Sequence, residues 1–309
     1  MPDQNKGVKS TAHPTTMAQW VAPVFVLFWS TGFIGAKLGL PYAEPMTFLA
    51  VRFAIVTVLL AAWAVVFRLP WPERSQWVDL ALVGVLLHGV YLGGTFIAVS
   101  RGVEAGTASL IAGLQPVATA LLARSFLGEA FRLSQWIGLV LGVLGVLLVV
   151  ARKLDAGFGD PLAVGIALMG TAGIAVAQIL QKGRLSSMPL VSGSAAQFAA
   201  AALFTGAGAV LFETGEITWS RDFIVAMAWL VLVLSVGAIS LLALMLRRGE
   251  AGRVASLFFL VPAATAVVAY VMFGETLGWL DILGMVCAIA GVGLVMRAPD
   301  LRWAMSPRR

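Results

Sequence analysis

The amino-acid sequence predicts an all-α integral membrane protein of ten transmembrane helices, built as two inverted five-helix repeats. Three observations predict it: an apolar composition, ten apolar runs of membrane-spanning length, and a match between the two halves of the chain. Of the 309 residues, 60% are hydrophobic and 12% are charged, whereas a soluble domain carries about 25% charged residues. Lipid accommodates this composition, because about 20 apolar residues span a hydrocarbon core about 30 Å thick.

Apolar runs bounded by charged or turn residues mark the predicted spans. They are Gln19–Leu38, Met46–Phe67, Trp77–Val99, Ala105–Phe126, Ser134–Ala151, Pro161–Leu180, Pro189–Phe212, Phe223–Leu246, Val254–Phe273 and Gly278–Met296. The short connections make successive helices antiparallel. We expect a disordered cytoplasmic tail over residues 1–18, a first repeat over 19–151, a second over 152–297, and a basic cytoplasmic tail over 298–309. The first tail lacks the apolar core of a signal peptide.

The distribution of basic residues orients the chain. With the N-terminus inside, fifteen Lys and Arg residues fall on the inner side and five on the outer side. The five outer residues are Lys37, Arg101, Arg152, Lys153 and Arg221. Inner loops of membrane proteins carry the excess of positive charge, so both termini are predicted to be cytoplasmic, in a multi-pass protein of the bacterial inner membrane. The net charge of +6 lies in interhelical loops and not on one patch, which argues against nucleic-acid binding.

The chain matches itself at a shift of about 145 residues. The aligned pairs are Lys37 with Lys182, Arg52 with Gln197, Arg101-Gly102 with Arg248-Gly249, Ala108-Ser109-Leu110 with Ala255-Ser256-Leu257, Pro116 with Pro262, and Gly128-Glu129 with Gly274-Glu275. Six matches in order indicate a duplication. Five spans is an odd number, so the second copy enters the bilayer upside down. Inverted repeats place a binding site near the midplane and allow conformations open to opposite sides.

Several of these blocks resemble a known transporter family. They are Phe28-Trp29-Ser30-Thr31-Gly32-Phe33 with Lys37, Arg52, Pro116-Val117 to Leu127-Gly128-Glu129, and Pro262 to Gly274-Glu275. They resemble the EamA-type members of the drug/metabolite transporter superfamily over roughly residues 20–297, and within it the chain is most similar to the YddG-type aromatic amino-acid exporters. The resemblance implies amino-acid export by alternating access, and a central cavity lined by spans one, three, four, six, eight and nine.

Polar and aromatic residues at membrane depth are the candidates for substrate binding. They are Trp29, Ser30, His88, Tyr91, Gln115 and Gln178. A titratable group in a span is a functional hypothesis by default, although His88 also fits a neutral histidine bonded to a helix carbonyl. Trp29 and Tyr91 could stack on a planar substrate or bind an ammonium group, or simply pack. The two amides could bind substrate or hold helices together.

Three further residues within spans affect the backbone or the charge balance. Pro116 and Pro262 each remove a backbone N–H, and their symmetric placement predicts conformational hinges, with a structural kink as the alternative. Arg52 must pair, snorkel or face water, and we interpret it as a bridge between helices or a cap on carbonyls. Glu129 and Glu275, at span ends, are interpreted as caps on the N-terminus of the following helix.

The same residues weigh against other classes of protein. An intramembrane enzyme needs a nucleophile with a base, or a metal site, and the spans contain a single histidine, His88, and no acidic pair. We therefore expect no catalysis, no metal and no cofactor. We expect a monomer in membrane lipid whose partner is a small molecule: an amino acid, including aromatic and other large apolar ones. Another neutral or drug-like metabolite is the alternative, and an intramembrane enzyme a distant one.

Overall fold

The fold was obtained as a computed structural model that describes residues 16–103, 108, 111–151, 160–249, 251–273 and 278–297. These residues are almost entirely helical, with 84% helix and no strand. Outside the helices, an isolated β-bridge joins Ala43 and Ile217. An all-helical architecture is the expected response to lipid, because a helix satisfies its backbone hydrogen bonds within one segment.

Helices of the first half follow one another with short connections. They are α1 (Thr16–Gly39), α2 (Pro45–Val66), α3 (Arg74–Ser100), α4 (Gln115–Leu127) and α5 (Leu133–Ala151). Within α3, residues Val85–Leu92 form a π-helical stretch. Residues 111–112 are helical and are followed by a turn at 113–114, directly before α4.

The second half repeats this order. Its helices are α6 (Pro161–Gly183), α7 (Leu190–Phe212), α8 (Arg221–Arg248), α9 (residues 251–273) and α10 (Trp279–Arg297). A π-helical stretch, Leu230–Ala238, lies within α8, and a 3₁₀ turn, Leu257–Phe259, interrupts α9. A shift of 145 residues places the first π-helical residue, Val85, on Leu230, so the irregular turns of α3 and α8 fall at equivalent positions.

Five helices in the described part of the chain are long and apolar enough to cross a membrane: α2, α3, α6, α7 and α8. Shorter apolar segments lie within α1, α5, α9 and α10. Apart from the start of α4, each described helix end lies within three residues of the predicted span end. The predicted start of the fourth span, the tail over residues 1–15 and the tail over 298–309 lie outside the described residues, and α1 already begins at Thr16.

The two most extensive helix contacts join equivalent helices of the two halves: α5 with α10, and α2 with α7. A Cβ built on Gly138 would lie 2.6 Å from the carbonyl oxygen of Gly291, and one on Gly145 would lie 2.7 Å from that of Gly284. Gly145 follows Gly138 by seven residues in α5, whereas Gly284 precedes Gly291 by seven residues in α10. The two helices therefore run antiparallel. Glycine allows the two backbones to approach this closely.

Helices α2 and α7 are also antiparallel, and polar contacts hold both ends of the pair. The Glu213 carboxylate, at the end of α7, accepts hydrogen bonds of 2.7 Å from the backbone amides of Met46 and Thr47 at the start of α2. At the opposite end, the Ser192 hydroxyl donates to the Pro70 carbonyl at 2.6 Å. A carboxylate at a helix N-terminus compensates otherwise unpaired amides.

Glu129 acts as a cap, but on a different helix from the one expected. Its carboxylate accepts from the amides of Ala251 and Gly252, at 2.8 and 3.3 Å. Those amides begin α9, whereas the sequence-based expectation was the following helix, α5. The reason is tertiary: α4 ends in a left-handed Gly128, with φ of 63°, and the chain turns Glu129 toward the second half. Glu275 lies outside the described residues.

Candidate functional site

A buried cavity lies between α1, α2, α3 and α8. Its lining comprises Trp29, Gly32, Ala36, Arg52, Tyr91, Leu92, Thr95, Phe96, Leu234 and Ile239. The cavity is narrow, with about 20 Å³ open to the centre of a water molecule. That is room for a single water and not for an amino acid. In this conformation the site is therefore closed.

Aromatic rings form one wall of the cavity. The Trp29 indole lies 6.3 Å from the Tyr91 ring at an interplanar angle of 24°. Behind it, the Phe258 ring of α9 meets Trp29 edge to face at 4.9 Å, and Phe25 packs against both. Edge-to-face and offset arrangements of this kind are favourable for aromatic pairs. The rings of α1, α3 and α9 thus form a continuous apolar surface beside the cavity.

Arg52 supplies the positive charge of the cavity. Its side chain is 1% exposed, and its Nε donates to the Ser235 hydroxyl of α8 at 3.0 Å. The interpretation as a bridge between helices agrees with this contact. Its Nη1, however, has no hydrogen-bond partner among the described residues. The sequence gives the depth of Arg52 in α2, but not that it faces the cavity.

His88 lies outside this cavity, on the side of α3 that faces α7. Its imidazole stacks on the Phe198 ring, with centroids 4.1 Å apart and planes at 18°. Both ring nitrogens lack a hydrogen-bond partner in the described part of the chain. Arg52 and His88 contact the same Phe53 ring, at 5.6 and 5.7 Å from its centroid. This imidazole is therefore a neighbour of the cavity and does not line it.

The remaining candidates are spread over other parts of the bundle. Ser30 donates to the Val26 carbonyl at 2.7 Å, and to the Val261 carbonyl at 3.3 Å, linking α1 to α9. Gln115 is buried, and neither atom of its amide has a partner among the described residues. Gln178 accepts a hydrogen bond from the Thr119 hydroxyl at 3.3 Å.

A second, smaller cavity lies beside the first and contains three amides. It is lined by Gln178, Gln181 and Gln197, with apolar residues of α3, α6 and α8. The Gln197 Nε2 donates to the Gln181 Oε1 at 2.8 Å. Ile239 lines both cavities, so the two cavities adjoin at its side chain. The sequence identified Gln178 as a candidate and missed the hydrogen-bonded pair of Gln181 and Gln197.

The predicted hinges lie just after irregular turns. Pro116 occupies the first turn of α4, directly after the turn at 113–114, and Pro262 follows the 3₁₀ turn Leu257–Phe259. Proline fits the first turn of a helix because its missing N–H would have no partner there. The irregular backbone therefore precedes each proline, at equivalent places in the two halves.

A larger cavity lies between residues 111–114, α5 and α6, and the described residues that line it are apolar. About 210 Å³ is open there, against glycine and aliphatic side chains such as Ile111, Val146 and Leu168. Without a hydrogen-bonding group it has no means of orienting a polar metabolite. The site with recognition chemistry is therefore the narrower one around Arg52.

Comparisons with known proteins match most of the length of this chain. The sequence matches the EamA-like transporter family over residues 16–151 and 158–297. It is 28% identical to a probable amino-acid metabolite efflux pump of Salmonella typhimurium over 88% of this chain and 92% of that one. The Escherichia coli protein of the same name is 27% identical, over 92% and 95%. A crystal structure that is 20% identical superposes with a TM-score of 0.74, over 90% of this chain and 96% of the other.

Proposed function

Because the chain belongs to the EamA-like transporter family, we propose that it exports amino acids and related small metabolites across the bacterial inner membrane, including aromatic and other large apolar amino acids. Transport across a membrane follows from the family. The names of the Salmonella and Escherichia coli relatives support amino-acid metabolites as the substrates. The observation that carries the aromatic preference is the cavity lined by Trp29, Tyr91 and Phe96.

The proposed architecture is ten transmembrane helices in two inverted repeats, residues 19–151 and 152–297. The antiparallel contacts of α5 with α10 and of α2 with α7 support it, because a two-fold axis in the membrane plane pairs equivalent helices in this way. The equivalent π-helical stretches Val85–Leu92 and Leu230–Ala238 also support it. Both termini are proposed to be cytoplasmic and the protein a monomer. A reporter fused after Arg309 that reads as periplasmic, or a stable dimer in light scattering, would contradict these two points.

Alternating access is the proposed mechanism. The cavity is too narrow for an amino acid, so substrate entry requires helices α1, α3 and α8 to separate. π-helical stretches often mark functional positions in helices, and those of α3 and α8 border the cavity through Tyr91, Leu92 and Leu234. Inverted repeats supply two pseudo-symmetric conformations for such a cycle. The turns before Pro116 and Pro262 are the proposed hinges.

The remaining candidates have supporting roles in this proposal. The amide of Gln178 offers hydrogen bonds in the second cavity, and the buried amide of Gln115 offers them elsewhere in the bundle. His88 lies beside the first cavity, behind Phe53. Ser30 fixes α1 against α9. Trp29 and Tyr91 contact the substrate directly.

Uptake and efflux by protein-containing vesicles test the proposal. Labelled aromatic amino acids, nucleotide sugars and cationic dyes are offered in parallel, with protein-free vesicles as the control. Flux of amino acids alone is the expected result. Flux confined to neutral drug-like compounds or dyes would reject the amino-acid assignment, and absence of flux for every compound would reject transport.

A further inference from the structure

Arg52 is a buried cation whose partner set is incomplete. One nitrogen, Nε, is bonded to Ser235, and Nη1 has no partner among the described residues. The ion pairs in that part of the chain, Arg101 with Asp160 and Arg184 with Asp79, lie elsewhere. A role limited to bridging α2 and α8 would need only the Nε contact. It leaves unexplained a buried guanidinium whose Nη1 has no hydrogen-bond partner among the described residues, which is costly for a charged group at membrane depth.

The surroundings of Arg52 match one chemical class of ligand. A planar carboxylate pairs with a guanidinium through two parallel hydrogen bonds, which neither an amide nor an amine can copy. The cavity beyond the guanidinium is lined by Trp29, Tyr91 and Phe96, whose rings suit an aromatic or large apolar body. This lining therefore favours a ligand that has a carboxylate at one end and an apolar body at the other.

The lining offers much less to an amino group. The described residues that line the cavity include no Asp or Glu. The Thr95 hydroxyl already donates to the Tyr91 carbonyl at 2.8 Å. An ammonium group would gain a contact with the ring faces, but the positive charge of Arg52 would repel it.

We propose that Arg52 binds the carboxylate of the substrate, and that the substrate class is monocarboxylic acids with an aromatic or large apolar body, in which the amino group is dispensable. This deepens the proposed function and rests on it, since it concerns the same cavity. Aromatic acids without an amino group are then ligands alongside the amino acids. Aromatic amines without a carboxylate are not.

Binding to the detergent-solubilised protein tests the assignment without relying on transport. Thermal stability is measured against rising concentrations of phenylalanine, 3-phenylpropionate, 3-phenylpropionamide and phenethylamine. Because a hydrogen-bonded charged group is lost, we expect the carboxamide to bind at least about tenfold more weakly than the carboxylate. We expect 3-phenylpropionate to bind within a few-fold of phenylalanine, and phenethylamine to give no shift.

Variants locate the effect at Arg52. In Arg52→Gln, the preference for carboxylate over carboxamide should disappear. In Arg52→Lys, which keeps the charge but not the planar fork, it should fall partway. Arg101→Gln, a matched loss of one charge at a half-exposed residue, should leave the preference unchanged. Should the Arg52 variants not fold, the wild-type comparison of acid with amide decides alone.

The outcomes separate this inference from the proposed function. Equal binding of carboxylate and carboxamide by the wild type, or a preference that survives in Arg52→Gln, overturns the role of Arg52, even if vesicles transport phenylalanine. Binding of phenylalanine but not 3-phenylpropionate overturns the claim that the amino group is dispensable. A clear carboxylate preference without amino-acid flux supports the Arg52 site and rejects the amino-acid exporter.

Discussion

The close contact of α5 with α10 predicts a large difference between two Gly→Ala substitutions. An added Cβ at Gly145 would lie 2.6 Å from the backbone nitrogen of Ala288 and 2.7 Å from the carbonyl oxygen of Gly284, whereas ordinary contacts begin at 3.4 Å. Backbone atoms cannot rotate away, so the helices must separate. An added Cβ at Gly293, in α10, meets nothing within 4 Å.

The two substitutions share one energetic term and differ in the other. Each replaces a helical glycine by alanine, which favours the helix by about 1 kcal/mol. Gly145→Ala also overfills a packed interface, which costs about 1 to 3 kcal/mol. The common term cancels in the comparison, so Gly145→Ala should be less stable than Gly293→Ala by about 1 to 3 kcal/mol.

Denaturant unfolding in one detergent measures this difference. The wild type, Gly145→Ala and Gly293→Ala are unfolded side by side, and the midpoints are compared at equal slope. Equal stability of the two variants would show that α5 and α10 do not pack through Gly145. The support that this contact gives to inverted repeats would then be lost.

Three further predictions concern the cavity, the loops and energy coupling. Trp29→Ala should reduce amino-acid flux in vesicles more than it reduces thermal stability. Trp20→Ala, at a residue that is 66% exposed, should leave the flux unchanged. Equal flux in the two variants would show that Trp29 does not belong to the site. Hydrogen bonds from Thr214 hold the pKa of the Glu44 carboxyl below its ordinary 4.5. The stabilisation from this carboxylate is therefore present above pH 4.5 and is lost as the pH falls through the lowered pKa. Glu44→Gln should destabilise the protein more at pH 7 than at acidic pH, and an equal effect at both refutes the prediction. Flux should proceed without a pH gradient, because the cavity lining contains no carboxylate in the part of the chain that the structure describes. Gradient-driven accumulation that survives in His88→Gln would place a coupling residue elsewhere.

Helix positions could be predicted from the sequence because lipid imposes a simple rule. An apolar run of fixed length must become a helix, and charged or turn residues mark its ends. The predicted span Met46–Phe67 and the observed α2, Pro45–Val66, differ by one residue at each end. Small residues also recur at helical spacing in both halves, which predicts close helix packing, and α5 and α10 do approach closely there; they are Gly138, Gly142 and Gly145, and Gly284, Ala288 and Gly291.

The site was less predictable, because the rotation of each helix about its axis depends on tertiary packing. Trp29 and Tyr91 were identified and line the cavity. His88, one turn from Tyr91, stacks instead on Phe198, since the π-helical stretch Val85–Leu92 changes the angle between successive side chains. Hydropathy carries no signal for that stretch. Hydropathy also gave no sign that Arg52 of α2 lines the cavity. The resemblance predicted that α4, α6 and α9 line it, and the described lining residues come instead from α1, α2, α3 and α8.

Counterflow tests the central claim most directly. Liposomes containing the purified protein are loaded with unlabelled phenylalanine and diluted into a trace of the labelled compound. A carrier that exposes one site to alternate sides must accumulate label transiently above the level in protein-free liposomes, with no ion gradient imposed. We predict this overshoot for phenylalanine. Its absence for phenylalanine and for every other large apolar amino acid would contradict an amino-acid carrier built around this cavity.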